Sequence, residues 1–120
     1  MSKVSEFIRL MFESRQVAHK AHLMTGVDAR HRALGSFYEG IVDLADGFAE
    51  AYIGRYGKIA DLDFSAQDED ADEVVAILRR HMEWIEINRS LIAKNQALQS
   101  MIDDILVHYM QSLYKLENLM

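Results

Sequence analysis

Apolar residues return at steps of three and four along nearly the whole chain, the spacing that lays one stripe along an α-helix. From about residue 3 to 24 the stripe is Val4, Phe7, Ile8, Met11, Ala18 and Ala21, and Gly26 is a natural stop. A second segment opens at Asp28, read as an N-cap, and carries Leu34, Phe37, Tyr38, Ile41, Leu44, Ala45, Phe48 and Tyr52. It continues to about Tyr56, where Gly57 ends it, and as a helix it is roughly 40 Å long. Residues 59–71 read as a loop containing the acidic run Asp68, Glu69, Asp70, placed where a following helix dipole favours negative charge. The third stripe is Val74, Ile77, Leu78, Met82, Ile85 and Leu91, with Asn95 taken as the break before the fourth. The last is Leu98, Met101, Ile102, Ile105, Tyr109, Leu113 and Leu116. Four amphipathic helices with mostly short connections predict an all-α chain, one domain over 1–120, folded as an antiparallel four-helix bundle in up-down-up-down order.

Composition agrees. The chain has no proline and 6 glycines in 120 residues, and 50% of its residues are hydrophobic, enough for one core. The net charge of −6 argues against broad binding of nucleic-acid phosphates, so DNA is not an expected partner. The absence of cysteine removes disulfides, thiolate metal sites and cysteine nucleophiles. No apolar run approaches the ~18 residues of a membrane span, and a cytoplasmic location without membrane contact is expected.

Charge changes the picture most in the second helix. At about 100° per residue, Asp43, Asp46 and Glu50 fall within about 40° of Glu39, on the side opposite the apolar stripe. No basic residue stands between Arg32 and Arg55. A solvated helix face accounts for such a stripe, but like charges at i,i+4 repel and a bound cation relieves them. His19, His22 and His31 flank the first turn. Imidazoles with carboxylates offer mixed nitrogen and oxygen ligation suited to iron, zinc or manganese.

The stretch from His19 to Glu50 resembles the ferroxidase segment of the starvation-inducible mini-ferritins, the Dps family. The matching elements are His22 with the turn to Gly26, His31, and Asp46-Gly-Phe-Ala-Glu50. The run His31-Arg-Ala-Leu-Gly-Ser-Phe-Tyr-Glu39 and the end Leu113-Tyr-Lys-Leu116 are similar to short phage and bacterial proteins related to that family. The resemblance implies a ferritin-like bundle and a homo-oligomer, at minimum a two-fold dimer, with a dodecameric shell as the alternative. It implies iron between subunits, with His22 and His31 from one chain and Asp46 and Glu50 from its mate, and oxidation of Fe(II) by oxygen or peroxide. His19 is the second choice of histidine, and Asp43 and Glu39 would guide or bridge a second iron. The small residues Gly35, Gly40, Gly47, Ala49 and Gly54 would allow close helix approach at the seam. The chain departs from the family pattern at Leu23, where a tryptophan is usual, and at Gly35, where an aspartate is frequent.

Two other readings stand beside ferroxidase chemistry: a non-catalytic helical interaction protein that has lost the metal, and a zinc or manganese protein using the ion for assembly. His81, Glu83 and Trp84 lie in mid-helix, but with no Glu-x-x-His order anywhere the intra-bundle di-iron class is set aside. Asp104 and His108, at i,i+4, read as a surface ion pair.

Overall fold

A computed structural model describes residues 1–118. It contains α1 (Lys3–Met24), α2 (Asp28–Tyr56), a 3-10 turn (Ala71–Glu73), α3 (Val74–Ile92) and α4 (Gln96–Asn118). The helix ends follow local chemistry. Ser2 caps α1 by accepting the Ser5 N–H, and Asn95 caps α4 by accepting the Leu98 N–H at 3.1 Å. Gly57 closes α2 at φ +90°, a conformation glycine adopts without a Cβ clash. Asp28 is the first residue of α2 rather than its cap: Val27 occupies the cap position without a side-chain bond, and Asp28 instead pairs with Arg32 at 3.0 Å.

The four helices form a bundle in which α1 lies beside α2 and α3, and α4 beside the same two. The expected up-down-up-down order is corrected. The end of α2 returns to the start of α1, where Ser2 and Ser5 bond Asp61. The start of α3 lies at the other end, with Ala71 and Asp72 beside Ala21 and Thr25. The segment 57–70 therefore runs the length of the bundle, giving up-down-down-up order with every neighbouring pair antiparallel. An extended chain at about 3.3 Å per residue spans that distance.

This strap is tied along α1. The Ser2 N–H and hydroxyl donate to the Asp61 carboxylate at 2.6 and 3.0 Å, and the main-chain bond holds the Asp61 carboxyl below its usual range. Phe64 meets Phe12 edge to face at 5.0 Å, and the Gln67 N–H donates to Glu13 at 3.1 Å. Lys20 reaches Asp68 at 3.6 Å.

Between the helices, Phe7, Phe37, Ile41, Phe48, Ile85, Ile102 and Ile105 are fully enclosed. Phe7 and Phe48 pack edge to face with centroids 5.0 Å apart. Leu91, assigned to the apolar stripe of α3, is instead exposed.

Candidate functional site

The three histidines of the first turn do come together. The His22 and His31 rings stack with centroids 3.6 Å apart and an interplanar angle of 19°. Each ring bonds the other's main chain: His22 Nδ1 donates to the His31 carbonyl at 2.6 Å and His31 Nδ1 donates to the His22 carbonyl at 2.8 Å. A carbonyl only accepts, so both Nδ1 atoms carry hydrogen, and in a neutral ring Nε2 keeps its lone pair. The pair latches the end of α1 to the first turns of α2. Its ring lies against Gly35, where an added Cβ would stand 3.1 Å from His22 Cε1. His19 stacks on Tyr38 at 4.2 Å, and its centroid is 6.2 Å from that of His22.

Within one chain this arrangement is not a chelate. An ion bound to an imidazole lies in the ring plane about 2 Å from nitrogen, and two planes stacked and tilted as these are meet only about 10 Å away. His22 and His31 as placed cannot share one ion. Glu39, Asp43, Asp46 and Glu50 are exposed on the outer face of α2. Asp46 and Glu50 lie about 22 and 28 Å along the helix from His31, so one chain does not unite them. Among the described residues no group of three or more histidine, aspartate or glutamate side chains is placed to hold a metal ion.

Two of the helix-two glycines expected to admit a neighbouring subunit serve the chain's own packing. Gly35 receives His22, and Gly40 receives His108, whose Cε1 lies 2.5 Å from where a Cβ would be. His108 Nε2 donates to the Phe37 carbonyl at 2.9 Å while its ring stacks on Phe37 at 5.1 Å. It forms no ion pair with Asp104 among the described residues.

A second polar cluster, inside the bundle, is where four side chains of three helices meet. Ser14 Oγ lies 2.6 Å from His81 Nδ1 and 2.6 Å from the Tyr109 hydroxyl. His81 Nε2 is 3.7 Å from the Glu13 carboxylate. One proton assignment satisfies every group: Tyr109 donates to Ser14, Ser14 to His81 Nδ1, and His81 Nε2–H points toward Glu13. Ser14 and Tyr109 are fully buried, and Glu13 and His81 nearly so. Burial, reinforced by the Arg80 and Arg9 charges, pushes the His81 imidazolium down to about 4. Burial also pushes the Tyr109 phenol up. The sequence did carry a signal for this cluster. Ser14 continues the stripe of Phe7 and Met11, His81 sits between Ile77 and Ile85, and Tyr109 between Ile105 and Leu113, all core positions.

Residues 22–116 match the model of a family of unknown function, DUF5856. The chain is also similar to the uncharacterized 14.6 kDa protein in the mobD-ri intergenic region of Enterobacteria phage T4. Identity is 31% over 117 residues, covering 96% of this chain and 88% of that protein. No solved structure matches. These matches overturn the mini-ferritin assignment: the family found is one of unknown function, the relative is uncharacterized and no ferritin or Dps family is found. The motif shared with the mini-ferritins covers one helical hairpin with a common histidine and carboxylate spacing. No helix among the described residues is long and apolar enough to cross a membrane.

Proposed function

We propose that this chain, which belongs to the DUF5856 family of unknown function, works as a rigid helical binding module rather than as a catalyst. One observation carries this: the side chains best suited to chemistry are used to fasten helices. His22 and His31 tie α1 to α2, His108 ties α4 to α2, and His81 with Ser14 ties α3 to α1. The Ser14–His81–Glu13 series has the order of an acyl-transfer relay, but its serine is sealed from solvent. What such a bundle offers to the outside is shape and surface.

A second reading keeps a metal. The tautomers of His22 and His31 leave each Nε2 lone pair outside any hydrogen bond among the described residues, and either imidazole, with Asp46 and Glu50 of a second copy, would offer mixed nitrogen and oxygen ligation to Fe(II), zinc or manganese. Metal analysis of the purified protein, followed by Fe(II) addition and gel filtration, separates the two. The binding-module role predicts no ion retained at stoichiometric level and no iron-dependent absorbance. Iron retained at about one per chain, and lost in the Asp46→Ala, Glu50→Ala double variant, would replace it with the metal role.

A further inference from the structure

We infer that two copies of this chain pack α4 against α4 about a two-fold axis. The inference rests on the binding-module reading, since it names the partner that the surface serves. α4 is apolar on two sides. Ile102, Ile105, Tyr109 and Leu113 fill the core, whereas Val107, Met110 and Tyr114, at i, i+3 and i+7, form an outer stripe at 46, 46 and 62% exposure. A helix that has already buried one face has no internal use for a second. The stripe borders the groove between α3 and α4, lined by Glu86, Arg89, Leu106 and Met110, and a further hollow at Met110, Gln111, Tyr114 and Lys115.

The charges beside the stripe identify the occupant. Asp103 is neutralised by Arg89 at 2.6 Å. Asp104 and Lys115, on the edge nearer α2, have no ion-pair partner within their own chain among the described residues. At about 100° per residue they share one edge of the outer face, within about 20° of each other. In an antiparallel two-fold pair, like edges face one another and residues meet when their numbers add to a constant. With the axis near residue 109, Asp104 of each copy meets Lys115 of the other, twice, while Val107 approaches Met110 and Gln111. The same operation on the outer face of α2 sets Glu39, Asp43, Asp46 and Glu50 against their own copies with only Arg32 to offset them. Like charge therefore disfavours the α2 seam and complementary charge favours α4. A single helix pair buries less than the ~1,200 Å² of a standard interface, so the dimer is weak, dissociating in the range of about 1–100 µM.

Sedimentation equilibrium of the full chain from low to high micromolar concentration, in chelator, tests this. The expected result is a monomer–dimer equilibrium. It should weaken at least about tenfold in Met110→Glu and in Asp104→Lys, and recover when Asp104→Lys is combined with Lys115→Glu. Circular dichroism confirms that each variant is folded, and all three sites are exposed. A monomer at every concentration, or a dimer indifferent to all three variants, overturns the α4 pairing. A dimer that chelator abolishes also overturns it. Iron uptake, measured separately, sinks the binding-module role without touching the α4 contact, so the two failures are distinguishable.

Discussion

Mild acid should destabilise this bundle through His81. Its imidazole is held to about 4 in the folded protein, against about 6.5 in an unfolded chain. The unfolded state therefore takes up the proton first as pH falls. Stability is complete above about pH 6.5, declines between there and about 4, and loses nothing further from this group below. The loss works out at about 0.8 kcal/mol at pH 6 and about 2 kcal/mol at pH 5. The Glu13 carboxylate at 3.7 Å favours the imidazolium, so these are upper values. Protonation also removes the acceptor for the Ser14 hydroxyl. Urea unfolding at pH 7, 6 and 5, for the native chain and for His81→Gln, isolates the term. Glutamine can accept from Ser14 but does not titrate. The native chain should lose about 2 kcal/mol more than the variant between pH 7 and 5. Parallel losses, agreeing within about 0.5 kcal/mol, would refute the assignment of His81 as a buried neutral base.

Two further substitutions probe the packing. Gly40→Ala places a methyl on the His108 ring, and losing the bond to Phe37 should outweigh the helix propensity gained, for a net cost of about 1 kcal/mol by thermal melting. Asn95→Ala removes the α4 cap and should cost about 1 kcal/mol; a midpoint unchanged in denaturant would place the start of α4 elsewhere.

Helix identity was legible because its causes are local. The stripes of Phe37, Ile41 and Phe48 or of Ile102, Ile105 and Tyr109 name a buried face, and Gly57 and Asn95 mark ends where the chain chemistry allows little else. Helix neighbours were not legible. Periodicity says which side of α3 is apolar but not whether α3 packs on α2 or α1, and the long segment 57–70 was the clue to a crossover. The candidate metal site was legible only as spacing: His31, Asp46 and Glu50 lie far apart along one helix, so uniting them needs a second copy, which no pattern within one chain specifies. The His22–His31 latch needs each ring to find the other's main chain, which no side-chain pattern encodes. Gly35 and Gly40 were read as small for a neighbour's sake, when each makes room for a histidine of its own chain.

The strap from Gly57 to Asp70 also bears on how the chain reaches this state. It divides the molecule into two hairpins, α1 with α2 and α3 with α4, each closed by a turn of a few residues. Both are local and cheap to form. The step that joins them must close a long connection and seat one hairpin across the other, so hairpin docking is the slow step. Substitutions in the Ser14, His81 and Tyr109 cluster, which bridges the two halves, then speed unfolding or slow docking. Changes to the His22–His31 pair alter only the early equilibrium within the first hairpin.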